Sequence, residues 1–279
     1  MKNGSFLKSQ EEVNAFTHGG QMNRQEGIYL AWLSNPEVIS KILPPPLQMV
    51  APIVSAYIIN IQEPNFTSHY LEACIAIPAA YNGEPGLYLV NLQLSGPGAF
   101  IGSSVGREEF ALPKKIADEI CLVRTGDNIK AYVVRNGIRI IEVQAEVGEY
   151  NTPDAKNIFG EAGPGVVASG AGYMYKYDID CTEEGKAVFS NARLIKTNLK
   201  NIYDTFEPAT AEVTLNPSEN DPWAELEIVQ ILGAAYSRNS CHMLNVQRLT
   251  DVNTEQVIPY LMTGRYDASL WGKICNEMR

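Results

Sequence analysis

The sequence predicts an α+β fold that is mainly antiparallel β-sheet, curved or closed into a barrel- or cone-like sheet with a few flanking helices. Roughly nine or ten runs of apolar or β-favouring residues are bounded by turn residues, which is typical of short strands. These runs do not alternate with helical segments, so a parallel βαβ sheet is not expected. The 279 residues are 45% hydrophobic, and no clear linker or internal repeat interrupts them. We therefore expect one domain over residues 1–279.

The first hundred residues open with two helix signals and continue with strands. Ser9-Gln10-Glu11-Glu12 has the spacing of a capping box, which predicts a short helix. Asn35-Pro36 supplies a cap residue and then a proline for the first turn of a second helix, which the prolines at 44–46 end. Strand-like runs follow at 52–60, 69–77, 86–94 and 98–102.

The rest of the chain is also predicted to form mainly strands. Asn136-Gly137 lies between the strand-like runs 129–135 and 138–147, and predicts a hairpin with a type I′ turn. Residues 254–262 predict a short helix, and the tail through Trp271 is expected to pack on the body. Further strand-like runs occupy 171–179, 187–195, 210–215, 224–232 and a stretch near 242–248.

Composition excludes several classes of protein. The net charge is −10 and no basic stripe occurs, which argues against nucleic acid and anionic membranes as partners. No apolar run reaches the roughly 18 residues that a membrane span needs, and the first residues lack an apolar signal core. We therefore expect a cytoplasmic protein.

Cysteine and histidine are scattered along the chain. The five cysteines are odd in number and widely spaced, which predicts reduced thiols rather than disulfides. The three histidines show no metal-ligand spacing, so no metal is expected. The cysteines are Cys74, Cys121, Cys181, Cys241 and Cys275, and the histidines are His18, His69 and His242.

Two adjacent lysines, Lys114 and Lys115, form the most informative motif. They lie in the run Phe110-Ala111-Leu112-Pro113-Lys114-Lys115-Ile116-Ala117, which carries no other charge. A neutral lysine amine condenses with a ketone to give an iminium ion, which withdraws electrons without any cofactor. Apolar surroundings favour the neutral amine. A solvated surface pair is the alternative that the residues alone leave open.

Four segments, in the right order, resemble the acetoacetate decarboxylase family. Residues 105–115 contain the pattern G-R-E-x-x-x-x-P-K-K. Residues 36–47 resemble the family's early helix with its Pro-x-Pro-Leu exit, and residues 72–83 resemble its E-x-x-x-A-I-P…N-G strand and turn. Residues 173–176 resemble a later strand, so the likeness covers about residues 20–245.

The resemblance implies a cofactor-free Schiff-base lyase that acts on a small oxo acid and forms a homo-oligomer. Lys114 matches the lysine that forms the Schiff base, and Lys115 matches its neighbour. Glu72 matches the essential active-site glutamate. The leading expectation is decarboxylation of the acetoacetate type.

One position departs from the family pattern, and another depends on a one-residue gap. Tyr57 stands where the family has a second glutamate, and the substrate-binding arginine aligns near Arg24 or Gln25. A phenol is a neutral hydrogen-bond donor, which favours a substrate that keeps its carboxylate. The alternatives are therefore aldolase–dehydratase chemistry on a 2-oxo acid such as pyruvate plus an aldehyde, or a non-catalytic barrel that binds a small molecule.

Strand geometry predicts how these side chains are directed. If the lysine segment is extended, Lys114 and Lys115 point to opposite sides, and Lys115 faces outward or pairs with an acid. Burial rather than repulsion from Lys115 then acts on Lys114. Glu72 lies in a run without polar alternation, so its strand is expected to be buried on both faces, with Cys74 on the same face as Glu72.

Overall fold

Strands dominate the structure, a computed structural model that describes residues 5–14, 20–160 and 162–267. The helices are α1 (Gln10–Asn14), α2 (Pro36–Ile42), α3 (Ala99–Phe110), α4 (Ala155–Phe159) and α5 (Thr254–Leu261). The first six strands are β1 (Gln21–Leu33), β2 (Gln48–Met49), β3 (Ile53–Pro64), β4 (Tyr70–Tyr81), β5 (Glu84–Ser95) and β6 (Lys114–Ile116). The others are β7 (Glu119–Thr125), β8 (Asn128–Arg135), β9 (Ile138–Val147), β10 (Val167–Cys181), β11 (Ala187–Leu215) and β12 (Gln230–Asp251).

Seven strands close into a ring in the order β10-β5-β4-β3-β1-β12-β11, because β10 pairs with both β5 and β11. The ring is antiparallel except for the short parallel contact between β10 and β5. The last part of β11 leaves the ring and pairs with β9, which begins the meander β9-β8-β7. This arrangement confirms the predicted curved antiparallel sheet with a few flanking helices.

The ring and the meander enclose one apolar core, and the ring interior holds a second. Ile28, Ile58 and Ile75 on β1, β3 and β4 pack in one cluster with Val133 and Val143 of the meander. The opposite face of the ring packs its own cluster against α3, with members Ile59, Tyr70, Cys74, Leu94 and Phe110. Strand β4 is therefore buried on both faces, as its sequence predicts.

The helix caps and the hairpin turn, which depend on a few neighbouring residues, are present as predicted. The backbone N–H of Glu12 donates to Ser9 Oγ and that of Ser9 donates to Glu12 Oε2, which completes the predicted capping box of α1. Asn35 caps α2 by accepting from the N–H of Glu37. Asn136 and Gly137 both have positive φ, at 51° and 73°, as a type I′ turn requires.

Elements that depend on distant partners were predicted less well. The prediction of a strand at 98–102 is wrong, since these residues begin α3. The runs 187–195 and 210–215 are two ends of the single 29-residue strand β11. The run 224–232 starts in a 3-10 turn, and β12 begins only at Gln230. Strands β1 and β7 were not predicted, because the first half of β1 is mostly polar and the centre of β7 is a short apolar run, residues 120–123, without alternation.

Within the described residues, no helix is long and apolar enough to cross a membrane. The predicted helix at 254–262 is present as α5. Trp271, His18 and Cys275 lie outside the described residues.

The buried tyrosines predict loss of stability at high pH. Burial raises the pKa of these phenols above the ordinary value of about 10, so the folded state keeps protons that the unfolded chain releases. Their contribution to stability is complete below about pH 10 and is lost as the pH rises above it. The residues are Tyr70, Tyr88 and Tyr175, which are buried, and Tyr29 and Tyr57, which are half-buried in the wall of an internal cavity.

Parallel titrations of tyrosinate absorbance and circular dichroism measure this effect. We expect the buried phenols to ionise together with unfolding. The variant Tyr88→Phe should reduce the slope of the unfolding free energy by about 1.4 kcal/mol per pH unit above pH 10. Ionisation of all the phenols near pH 10 in a protein that stays folded would contradict the prediction.

Candidate active site

Three neighbouring elements bring the predicted site residues together. Strand β6 follows α3 through Ala111, which has a left-handed φ of 56°, and Pro113. It then pairs in parallel with β5, where Lys114 lies opposite Leu92. Glu72 lies on β4, which pairs with the other side of β5, and Tyr57 lies on β3, which pairs with β4. The chain therefore delivers a lysine, a glutamate and a tyrosine to the interior of the ring.

Lys114 and Glu72 form a buried ion pair. Lys114 Nζ lies 2.8 Å from Glu72 Oε2, and each side chain is only 4% exposed. Nζ also donates to the backbone oxygen of Gly102 at 3.3 Å and lies 5.8 Å from the centre of the Tyr70 ring. Opposite charges this deep in a protein are retained only when they are paired and hydrogen-bonded. The pair therefore fixes the position of the amine.

Tyr57 completes the cluster from the side of Glu72. Its hydroxyl donates to Glu72 Oε1 at 2.8 Å, so the two oxygens of the carboxylate contact different partners. Burial and the charge of Glu72 raise the pKa of Tyr57 well above its usual value of about 10. Tyr57 therefore remains a neutral hydrogen-bond donor at physiological pH.

Lys115 points away from this cluster and is buried in a separate polar network. Its Nζ donates to the backbone oxygen of Asn220 at 2.7 Å and lies 3.1 Å from Asp221 and 3.3 Å from Asp267. The expected opposite directions of the two lysines are therefore observed, and Lys115 takes the acid-paired alternative. Because two carboxylates surround its ammonium group, Lys115 presents little uncompensated charge to Lys114.

The amine of Lys114 lines a cavity of about 330 Å³ inside the ring. Among the described residues that line it, Lys114 and Glu72 are the two charged groups. Most of the wall is apolar, with contributions from Met22, Ile59, Phe66, Leu89, Leu92, Val105, Phe110, Leu112, Ile158, Phe159, Leu199, Phe206 and Met243. A volume of this size suits a drug-sized ligand and exceeds what a four-carbon acid would fill.

The structure separates the two candidates for substrate binding. Arg24 lies at a register shift in β1 with a left-handed φ of 49°, and its side chain is 65% exposed and paired with Glu63 at 2.6 Å. Gln25 is buried and lines the cavity. The ring therefore brings Gln25, and not Arg24, to the site.

Gly106 is a site residue that the sequence analysis did not identify. A Cβ at this position of α3 would lie 2.8 Å from Lys114 Cδ, 2.9 Å from Cε and 3.1 Å from Nζ. The lysine side chain therefore occupies the space that a larger residue would need. The available signal was the pair Gly102 and Gly106, which lie four residues apart and share one face of a helix.

The arrangement can produce a reactive amine without any added group. Transfer of one proton from Lys114 Nζ to Glu72 Oε2 crosses 2.8 Å and leaves a neutral amine beside a neutral carboxylic acid. In an apolar cavity, this exchange removes two buried charges, whose desolvation is costly. No group of His, Cys, Asp or Glu among the described residues is arranged to hold a metal ion.

Comparisons with known proteins found relatives of this sequence and of this fold. A family model described as Acetoacetate decarboxylase (ADC) matches residues 8–252. A protein named CLA biosynthesis isomerase from Lactiplantibacillus plantarum is 36% identical over 270 residues, which cover 96% of each chain. An acetoacetate decarboxylase from Burkholderia lata is 31% identical over 101 residues, which cover 36% of this chain and 40% of that protein. These matches confirm the resemblance that the sequence showed.

A solved structure shares the fold. The crystal structure of acetoacetate decarboxylase from Legionella pneumophila superposes with a TM-score of 0.72 and covers 90% of this chain and 99% of its own. The two sequences are 16% identical, so this likeness concerns the fold alone.

We expect the variant Gly106→Ala to fold normally but to form an imine at Lys114 more slowly. In Gly106→Ala, the new methyl group displaces the flexible end of Lys114, while the helix gains a residue of higher propensity. We expect a melting temperature within a few degrees of the parent. We expect borohydride trapping of Lys114 with a methyl ketone to be about 10- to 100-fold slower, because the amine is misplaced.

Gly102→Ala is the matched control. A Cβ there would lie 3.4 Å from the Tyr70 ring, which is an ordinary contact, and the backbone oxygen that accepts from Lys114 is kept. This variant should be trapped at nearly the parent rate. Equal trapping rates in the two variants would show that the space at Gly106 does not control Lys114.

Proposed function

Because the chain belongs to the acetoacetate decarboxylase family, we propose that it is a Schiff-base enzyme that shifts a carbon–carbon double bond in an apolar oxo compound. The observation that carries the proposal is the Lys114–Glu72 pair in the wall of a cavity of about 330 Å³ whose other described lining residues are uncharged. The amine provides the electron sink, the carboxylate moves protons, and the apolar wall binds an aliphatic body.

Imine formation is the first step of the proposed mechanism. Glu72 accepts a proton from the Lys114 ammonium group, and the neutral amine adds to the carbonyl carbon of the substrate. Glu72 returns this proton to the hydroxyl of the carbinolamine, water leaves, and a protonated imine forms beside the Glu72 carboxylate. Tyr57 holds that carboxyl group in place from its other oxygen. The positive charge that Lys114 carried is thus recovered beside Glu72.

Proton transfer between two carbons then moves the double bond. In an α,β-unsaturated iminium ion, Glu72 removes a proton from the γ-carbon, and the electron pair of that bond enters the conjugated system to give a dienamine. Return of a proton to the α-carbon leaves the double bond between the β- and γ-carbons. Water releases the ketone and restores the amine, so substrate and product have the same atoms.

Two observations favour isomerisation over release of carbon dioxide from a small acid. The cavity wall offers no cation besides Lys114, among the described residues, to hold a substrate carboxylate near the imine. The relative that matches 96% of the chain is named an isomerase. An uncharged oxo compound with an aliphatic body fits both observations.

Decarboxylation of an apolar 3-oxo acid is the second candidate. The same iminium ion accepts the electron pair of the bond to the carboxylate, carbon dioxide leaves, and the α-carbon of the enamine takes a proton. Glu72 favours this reaction because a carboxylate beside the substrate carboxylate destabilises the ground state.

Aldol chemistry has less support, since the Tyr57 hydroxyl that motivated it donates its hydrogen bond to Glu72. The homo-oligomer and the cytoplasmic location remain predictions.

Borohydride trapping tests the role of Lys114. Incubation with an aliphatic α,β-unsaturated ketone and borohydride should attach the reduced ketone to Lys114, which mass mapping of peptides identifies. Lys114→Ala should lose the label. Lys176→Ala is the control, because that amine donates to the backbone oxygen of Glu108 outside the cavity. A label on Lys115, or a label kept in Lys114→Ala, would overturn the assignment, and no label in the parent would favour a binding protein.

The products distinguish the candidate reactions. One preparation should be given an aliphatic enone, an aliphatic 3-oxo acid, acetoacetate, and pyruvate with an aromatic aldehyde. We expect the enone to isomerise and to take up deuterium from heavy water at the α-carbon. We expect acetoacetate to be turned over at least about 100-fold more slowly, because it leaves the apolar wall uncovered. Fast release of carbon dioxide without isomerisation would promote the second candidate.

Variants of Glu72 and Tyr57 separate the two supporting roles. Glu72→Gln removes the group that moves protons and should lower turnover by about 10²- to 10⁴-fold. Tyr57→Phe removes one hydrogen bond to that group and should lower turnover by about 10-fold, with trapping of Lys114 retained. Steady-state turnover and trapping on the same preparations measure both effects, with melting temperatures to confirm folding. A larger loss in Tyr57→Phe than in Glu72→Gln would exchange the roles.

A further inference from the structure

We propose that Gln25, Tyr29, Asn239 and Asn201 form a second subsite in the cavity, which holds a neutral hydrogen-bonding group of the substrate, with a hydroxyl as the best fit. The inference rests on the proposed function, since it concerns another part of the same bound molecule. It names a chemical feature of the substrate that the reaction at Lys114 does not require.

The four side chains converge from three neighbouring strands of the ring. Gln25 lies opposite Asn239 in the pairing of β1 with β12, and Asn201 lies on β11, the next strand. Gln25 and Asn239 are 3% and 1% exposed. Gln25, Tyr29 and Asn201 line the cavity. The cluster is therefore built into the rigid wall of the ring rather than placed on a loop.

The hydrogen bonds within the cluster form a chain in which each side chain donates to the next, starting from Gln25. Gln25 Nε2 donates to the Tyr29 hydroxyl at 3.3 Å, and that hydroxyl donates to Asn239 Oδ1 at 3.3 Å. Asn239 Nδ2 then donates to Asn201 Oδ1 at 3.3 Å. Gln25 Oε1 is buried and has no hydrogen-bond partner among the described residues. Buried amide oxygens are rarely left unpaired, and a bound ligand is one of the groups that can pair them.

The subsite suits a neutral group and not an anion. Burial raises the pKa of Tyr29 and Tyr203, and it raises the pKa of Cys241 to about 12, so the titratable groups around the amides are uncharged at neutral pH. A carboxylate placed there would lose its hydration without gaining a counter-charge. A hydroxyl both donates and accepts, and so pairs with either end of the Gln25 amide.

The subsite adjoins the reactive pair through two aromatic rings. The ring centres of Tyr29 and Tyr57 are 5.8 Å apart, and Tyr57 donates to Glu72. Lys114, Tyr29 and Gln25 line the same cavity, so one ligand with its carbonyl carbon at Lys114 can extend past these rings to the amide cluster. The structure thus implies a substrate in which a hydroxyl lies a few carbons from the reacting ketone.

A series of hydroxylated ketones tests the proposal. Methyl nonyl ketone and its analogues, with one hydroxyl at successive carbons of the nonyl chain, are bound to the parent protein and to Gln25→Met, and their dissociation constants are measured by calorimetry. In the parent, one position of the hydroxyl should bind about 10- to 100-fold tighter than the others, because it pairs with a buried amide. In Gln25→Met, which keeps the volume of the side chain, this preference should disappear.

Matched controls separate this proposal from the proposed function. Gln62→Met changes the same residue type on β3 at a position where its amide donates to Glu26, and it should keep the preference. Borohydride trapping is measured on the same samples. A hydroxyl preference without trapping supports the subsite and refutes the proposed function, whereas trapping without a preference does the reverse. A preference that survives in Gln25→Met, or tighter binding of the analogue with a carboxylate at the favoured carbon, would overturn the subsite.

Discussion

The structure depends on the burial of one ammonium group beside one carboxylate in an apolar interior. Neither charge is tolerable there without the other, so the contact between Lys114 and Glu72 holds β6 in register with β4 across β5. Helix α3 covers the pair with a glycine at the point of contact, which allows the amine to approach the helix backbone. The chemistry proposed for the site uses the same interaction, because a proton can move within the pair without leaving the protein.

Lys115 holds the other side of β6 through ion pairs of its own. Lys115 reaches Asp221 and Asp267, and Arg135 lies 2.7 Å from Asp267 and 3.8 Å from Asp221. Adjacent lysines on one strand are thus held by separate acids on opposite sides of the sheet. This arrangement anchors the strand from behind and keeps the Lys115 ammonium group out of the cavity, so Lys114 is the one cation among the described residues of the apolar wall.

Sequence predicted those features that short stretches of chain determine. The Asn136-Gly137 turn, the cap at Asn35 and the opposite directions of Lys114 and Lys115 follow from a few neighbouring residues. Helix α3 did not follow, because its small residues become favourable only when Lys114 and Tyr70 pack on them. The partner of Lys115 lies 106 positions away at Asp221, and no local pattern marks such a distance. The resemblance to the family identified Glu72 from sequence. The burial of Gln25 could not be predicted in this way, because it results from the pairing of β1 with β3 and β12.

Because the ring closes only when β1 pairs with β12, the cavity forms late during translation of the chain. Strand β1 has β3 and β12 as its two neighbours, and β12 spans residues 230–251. On a ribosome, β1 therefore waits for about two hundred residues before its second partner emerges, and the cavity wall that contains Gln25 and Cys241 is incomplete until then. Such non-local pairing slows folding. The nascent chain thus exposes the apolar faces of β1, β3 and β4 for most of translation, when chaperones that bind extended apolar segments can act on it.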